Sequence, residues 1–146
     1  DYMRWSTGLE VVRVGAMHGN AAHPDYPGCQ DHAVVDLQFA GGATASVTAD
    51  YLRPPTAPTH GDDRLRVIGS SGVIETKDLG ARVELITTQA APKDLLMAEP
   101  PSLFADFVAE LRGQGKHLIG PDEAVRVTRI CIAATRSAVE GRMIEV

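Results

Sequence analysis

The chain has 146 residues, 44% hydrophobic and 23% charged, which suits one globular domain and excludes a disordered or fibrous chain. Its net charge of −5, with no basic segment, argues against nucleic acid as a partner. No apolar run approaches the roughly 18 residues that a membrane span needs, so we expect no membrane insertion. Cys29 and Cys131 share no metal or redox spacing, which indicates free thiols in a cytoplasmic protein.

The two ends of the chain differ. The first residues, DYMRWSTG, are typical of the last turns of a helix, and we expect Trp5 to anchor the core. Residues 102–146 read as two helices and a terminal strand. A complete ending after an abrupt start suggests the back part of a larger protein.

Alternating apolar and polar residues predict a sheet in the first ninety residues. A three-residue loop, 40–42, would pair Leu37 with Ala45 and Val35 with Val47, with Gly42 in the left-handed region. The apolar face of the first of these two strands should then be buried against the helices. Strands are predicted near 11–17, 33–39, 43–52, 64–69, 72–76 and 82–88.

Prolines mark the segments outside the sheet, a surface loop over 52–63 and a link over 90–101. Helices are predicted near 102–113, capped by Ser102, and 121–140, opened by Pro121. We expect the second helix to pack on the sheet through a small-residue face. That face comprises Ala124, Val127, Cys131, Ala134 and Ala138. The predicted fold class is α+β, an open and mainly antiparallel sheet with two C-terminal helices on one face.

Five segments of the chain, in order, resemble the C-terminal domain of the Gfo/Idh/MocA oxidoreductases, the family of glucose–fructose oxidoreductase and inositol dehydrogenase. They are DYMRWSTGLEVVRVGA, VVDLQFAGGATASVTADY, LRVIGSSGVIET, FADFVAELRGQGKHLIGPDEAVRVTRI and AATRSAVEGRMIEV. The resemblance implies an NAD(P)-dependent dehydrogenase of a sugar, polyol or related hydroxy compound. On this basis residues 1–146 form a single substrate-binding and oligomerisation domain, and a Rossmann domain precedes Asp1.

The same resemblance places the catalytic Lys and His upstream of Asp1, so we expect no catalytic residue in this chain. It also assigns NAD or NADP mainly to the absent N-terminal domain. In agreement, GAMHGN and GQGKHLIG lack the glycine spacing and the preceding strand of a dinucleotide site. The fragment alone should be inactive.

Polar side chains around the Pro-rich loop are the candidate substrate contacts, because polyol recognition needs donors and acceptors held in fixed directions. The alternative is a solvated turn in which Asp62 or Asp63 accepts backbone amides and Arg53 pairs with an acid. His60 is the leading candidate. The predicted substrate-binding residues are Tyr51, Arg53, His60, Asp62 and Arg64, with Asp63 beside them.

A second polar cluster lies in MHGNAAHPDYPGCQDH, a surface loop between two strands that could also border the substrate cleft. Its possible metal ligands lack the tight pairing of a structural zinc site, so we predict no metal. His117 is expected to be an exposed linker residue. The possible ligands are His18, His23, Asp25, Cys29, Asp31 and His32.

Two functions therefore remain: the substrate-binding half of a dehydrogenase, or a non-catalytic binding or scaffold module that has lost this chemistry. The sheet face that the helices leave open carries short polar side chains and could meet a second sheet or solvent. The family resemblance favours a homodimer or homotetramer through this face. The open sheet face is formed by Asp36, Gln38, Thr44, Ser46 and Thr48.

Overall fold

The structure, a computed structural model, describes residues 1–146 and divides them into two compact units. The first unit comprises residues 1–52 and 106–146, and the second comprises residues 53–105. Each unit contains a four-stranded antiparallel sheet. The α+β class is thus confirmed, with the strands divided between two open sheets. No helix is long and apolar enough to cross a membrane.

The helices and strands follow the predicted order, including a helix in the first residues and a terminal strand, with one added strand at residues 90–95. In chain order they are α1 (Tyr2–Thr7), β1 (Val11–Gly19), β2 (His32–Phe39), β3 (Thr44–Asp50), β4 (Arg66–Gly69), β5 (Gly72–Lys77), a 3₁₀ turn (Asp78–Gly80), β6 (Arg82–Thr87), β7 (Ala90–Leu95), α2 (Leu103–Leu111), α3 (Pro121–Glu140) and β8 (Ile144–Glu145). The strand orders are β3-β2-β1-β8 and β4-β5-β6-β7.

The β2–β3 hairpin has the predicted three-residue loop. Leu37 pairs with Ala45, and the Phe39 N–H donates to the Ala43 carbonyl at 2.8 Å. Gly42 has φ +90°, a conformation that a residue with a Cβ adopts only with strain. The register is confirmed, so the side chains of β2 point as the alternation predicted.

The core of the first unit lies between this sheet and α3. Leu37 and Phe39 of β2 are buried with Val14 of β1, Ala133 of α3 and Ile144 of β8. Burying a Leu or Phe side chain contributes about 1.5–3 kcal/mol, so these contacts stabilise the unit substantially. Since the apolar residues of β2 face the core, the opposite, polar face of the sheet is left open.

Helix α3 packs on β1 and β8, and Ala134 of the predicted face contacts the core, but the buried face is centred one residue away from the predicted one. Cys131 is exposed, whereas Ala133 and Ser137 are buried. The Ser137 hydroxyl accepts the Ala16 N–H at 2.9 Å and donates to the Arg142 carbonyl at 2.7 Å. These two hydrogen bonds satisfy the hydroxyl inside the core. A serine can therefore be buried at position 137, which the apolar periodicity of the helix places on its exposed face.

Helix α1 is held by Arg4, not by Trp5. Trp5 is 67% exposed, so the prediction that it anchors the core was wrong for this chain. Arg4 is buried and pairs with Glu10, at 2.8 Å, and with Glu123 at the start of α3. A buried guanidinium must be paired with anions to offset its desolvation, which explains the two carboxylates around it.

The second unit contains β7, which the sequence assigned to a link because of Pro92. In the structure β7 is an edge strand, and its pairing with β6 shifts between Leu85 and Thr87. Proline is tolerated at an edge or a bulge because its missing N–H removes no ladder bond there. The expectation of a link over the whole of 90–101 is therefore corrected to strand 90–95 followed by an irregular segment.

Candidate functional site

The loop after β3 is irregular from residue 52 to residue 65, as its prolines predicted. A turn closes part of it, because the Ala57 N–H donates to the Pro54 carbonyl at 2.9 Å. Pro54 and Pro55 restrict the backbone of this turn and Pro58 follows it, while Arg53 holds Thr59 by two hydrogen bonds. The polar side chains of this loop are therefore presented by a constrained segment of the second unit.

Arg53, Asp62 and Arg64 form one ion-paired cluster on this loop. Arg64 makes a two-pronged contact with Asp62, at 3.2 Å from Nε and 2.7 Å from a terminal nitrogen. Arg53 approaches the same carboxylate at 3.3 Å and donates to the carbonyl and hydroxyl oxygens of Thr59, at 2.8 and 3.0 Å. Arg53 thus closes the loop on itself, as the solvated-turn alternative foresaw for an Arg–acid pair.

The two guanidinium groups also set the ionisation of the cluster. Hydrogen bonding from Arg64, with a smaller contribution from Arg53, holds the pKa of Asp62 below its ordinary value of 3.8. Asp62 in turn raises the pKa of Arg64. The cluster therefore carries one negative and two positive charges at neutral pH, which leaves it net cationic.

The other predicted contacts are exposed. His60 has no hydrogen-bond partner within the chain, and neither does Asp63. Tyr51 belongs to the first unit, where its N–H donates to the Asp31 carbonyl at 2.8 Å and its ring faces solvent. Within the second unit the structure therefore brings together Arg53, Asp62 and Arg64 by direct contact.

Asp31 lies between β1 and β2 and is the centre of a second polar cluster, in the first unit. Its side chain is fully buried and accepts hydrogen bonds from the N–H groups of Ala21 and Ala22, at 3.0 and 2.8 Å. Its two oxygens also contact two imidazoles, Nδ1 of His23 at 3.0 Å and Nδ1 of His32 at 2.8 Å. The loop 20–31 is therefore organised around one carboxylate.

These contacts determine the charge of Asp31. Burial alone would raise its pKa, but the hydrogen bonds from Ala22, His32, Ala21 and His23 outweigh burial and lower the pKa below the ordinary 3.8. Asp31 is thus ionised at neutral pH. In the sequence, Asp31 stands only among the possible metal ligands. No local spacing marks it, because its partners meet only when the loop folds back.

The histidines and acids form no group of three arranged to hold a metal ion. His117 departs from its prediction as an exposed linker residue, since its side chain is only 14% exposed. It pairs with Glu110, and its ring meets the edge of Phe107 with the centroids 5.8 Å apart. The segment after α2 therefore folds back onto that helix.

The residues present do not fit a dinucleotide. Both sheets are entirely antiparallel, and neither contains a strand that leads through a Gly-rich loop into a helix. We therefore assign no step of cofactor chemistry to this chain.

Comparison with known proteins identifies the family. The model of the GFO/IDH/MocA C-terminal domain matches residues 1–75, just over half of the chain. The chain belongs to the Gfo/Idh/MocA family. No curated protein matches it.

Solved structures of oxidoreductases match nearly the whole chain. An oxidoreductase from Thermotoga maritima, described as putative, is 31% identical over 99% of this chain, with a TM-score of 0.93. Two structures share the fold at lower identity. The aldose-aldose oxidoreductase from Caulobacter crescentus, complexed with glycerol, is 23% identical over 99% of this chain, with a TM-score of 0.80. An oxidoreductase from Agrobacterium radiobacter, in complex with NAD+, L-tartaric acid and magnesium, is 19% identical over 97%, also with a TM-score of 0.80.

The chain spans less than half of each of these proteins, 43%, 44% and 45% of their respective lengths. The family model that matches is that of a C-terminal domain, so this chain is a C-terminal domain of the Gfo/Idh/MocA oxidoreductase family.

Proposed function

We propose that this chain is the substrate-binding and oligomerising C-terminal part of an NAD(P)-dependent oxidoreductase that acts on a sugar, polyol or related hydroxy compound. The nicotinamide cofactor and the catalytic Lys and His would belong to an N-terminal domain outside residues 1–146. Family membership supports the reaction class. The glycerol, tartaric acid and NAD+ in the related structures support the substrate and cofactor classes. The two free, exposed thiols support a cytoplasmic location.

The observation that carries this proposal is the arrangement of the loop after β3. Arg53 holds the loop in shape through its contacts with Thr59 and Asp62, and it is proposed as a substrate contact beside His60. His60 and the outer edge of Arg64 remain free to hydrogen-bond a hydroxyl or carboxylate group. Asp62 orients Arg64 for such a contact. Tyr51, exposed after β3 in the first unit, is proposed separately as a substrate contact.

The test is steady-state kinetics of the full-length protein with His60→Ala. The KM for the polyol or sugar should rise, with a loss of about 1–3 kcal/mol in transition-state stabilisation, because polar groups of the substrate lose their partner. The KM for the cofactor should not change. Thr56→Ala is a matched control, since Thr56 is exposed on the same loop without a side-chain hydrogen bond.

An unchanged KM and kcat in both His60→Ala and Arg64→Ala, together with a lowered melting temperature, would show that the loop is structural. Activity absent from the full-length protein with every polyol, sugar and nicotinamide cofactor tried would instead favour the non-catalytic module.

A further inference from the structure

The two histidines of the Asp31 cluster each use only one ring nitrogen inside the protein. Nδ1 of His23 and Nδ1 of His32 contact opposite oxygens of the same carboxylate, at 3.0 and 2.8 Å. Neither Nε2 has a hydrogen-bond partner within the chain, and the side chains are 41% and 45% exposed. Both rings are therefore partly exposed, and their Nε2 atoms are unpaired within the chain.

The carboxylate dictates where the protons lie on these rings. An ionised carboxylate can only accept hydrogen bonds, so each Nδ1 must carry a hydrogen. In a neutral imidazole the other nitrogen is then a bare acceptor. In their neutral forms His23 and His32 are therefore Nδ1–H tautomers in which Nε2 is the acceptor. A buried carboxylate that orients an imidazole in this way prepares the outer nitrogen for a ligand.

The backbone around the cluster holds it firmly. The Asp31 N–H donates to the Gly19 carbonyl at 2.9 Å, and the Asp31 carbonyl accepts the Tyr51 N–H at 2.8 Å. The ring of His32 lies against Gly19, where a Cβ would come within 2.8 Å of Cε1 and 2.9 Å of Nε2. The cluster therefore joins the end of β1, the start of β2 and the residue that follows β3.

We propose that Nε2 of His23 and Nε2 of His32 accept hydrogen bonds from hydroxyl groups of a polyhydroxylated ligand, with Asp31 as the positioning residue. The assignment of this ligand as the substrate rests on the proposed function. Two acceptors suit a polyol, whose hydroxyl groups donate, and no third ligand completes a metal site around them. The acceptor pair is a feature of the first unit and does not depend on His60.

The tautomers can be measured directly on this chain by long-range ¹⁵N–¹H NMR of the imidazole rings at pH 8. His23 and His32 should show the Nδ1–H pattern, whereas His60, which has no partner, serves as the internal reference. Asp31→Asn should abolish the preference. Gly19→Ala should shift only His32, because the new methyl displaces that ring and leaves Asp31 intact. Nε2–H signals from both rings in the unaltered chain would overturn the proposal.

Binding is tested in the full-length protein with His23→Asn and His32→Asn. The asparagine amide can still donate to Asp31 but has no atom at the position of Nε2. Each variant should raise the KM for the polyol about 2- to 12-fold, the equivalent of one neutral hydrogen bond, with the melting temperature nearly unchanged. Cys29→Ser, on the same loop, should leave the KM unaltered.

The outcomes separate this inference from the proposed function. If His60→Ala raises the polyol KM while His23→Asn and His32→Asn do not, the acceptor pair is overturned and the proposed function stands. If His23→Asn and His32→Asn raise the KM, the pair is supported whatever His60 does. If none of the three changes it, the acceptor pair and the His60 contact are both overturned, whereas the proposed function falls only if the full-length protein shows no activity.

Discussion

Asp31 shows how one residue can organise a loop that its sequence describes only as polar and Pro-rich. Its carboxylate joins two backbone N–H groups and two imidazoles, and its own backbone joins Gly19 and Tyr51. An ionised group with this many donors stabilises the folded chain only while it remains ionised. The consequence is a stability that depends on pH in a defined direction.

The folded state lowers the pKa of Asp31 below 3.8, so the unfolded chain binds more protons in acid than the folded one. The stabilisation is complete above pH 3.8 and is lost as pH falls through the lower folded pKa. Urea denaturation from pH 7 to pH 2 should therefore show Asp31→Asn less stable at pH 7 and with a shallower loss of stability in acid. Asp25→Asn, at an exposed carboxyl without a partner, should keep the steep acid slope. Equal slopes for Asp31→Asn and the unaltered chain would contradict the role of this carboxylate.

At the scale of the element, the β2–β3 hairpin is determined by its own residues. The alternation of both strands and the two glycines of the loop agree on one register, which the structure adopts. Strand β7 is the opposite case. Its proline argues against a strand, and only its position at the edge of a sheet, beside a shift in pairing, makes the strand possible.

Gly42→Ala should lower the free energy of unfolding by about 1–2 kcal/mol, because its φ of +90° brings a Cβ too close to the backbone. Gly28→Ala is the matched comparison, since Gly28 lies in open space without a positive φ. That change should be neutral or stabilise by up to about 1 kcal/mol, by restricting the unfolded chain. Urea titrations monitored by circular dichroism measure both. A Gly42→Ala variant as stable as Gly28→Ala would show that the loop relaxes into another turn.

At the scale of the whole molecule, the sheet of the first unit is covered on one face by α3, while the other face is polar. Asp36, Thr44, Ser46 and Thr48 are exposed there, and the side chains are short. A shallow hollow on this face is lined by Asp36, Gln38, Ser46 and Met143, among others. Such a surface of short side chains could meet its own copy around a two-fold axis.

We predict that the protein is a homodimer, or a tetramer of dimers, through this face. Light scattering at tens of micromolar should give at least twice the monomer mass. Ser46→Arg should shift it to monomer, because two arginines would be buried against one another at a symmetric contact. Thr56→Arg, on the exposed loop of the second unit, should leave the assembly unchanged. A monomer in the unaltered protein would remove the oligomerising role and leave this face to solvent.

The sequence by itself determined what depends on near neighbours along the chain. These features act within a few residues: the alternation in β2 and β3, the glycines of their loop, and Pro121 at the start of α3. The hairpin register and the start of the helix could therefore be predicted from the sequence. The family resemblance also lay in the order of short segments. The candidate contacts around His60 were predicted from their residue types alone, and their roles are proposals.

Only the tertiary structure decided which side chains are buried and paired across long separations. Ser137, and not the predicted Cys131, lies on the core face of α3, because the N–H of Ala16, 121 residues away, donates to its hydroxyl. Asp31 is buried because its loop returns Ala21, Ala22 and His23 to it. A polar group can be buried only where hydrogen-bond partners reach it. Which partners reach it is decided by the folded chain and not by the local sequence pattern.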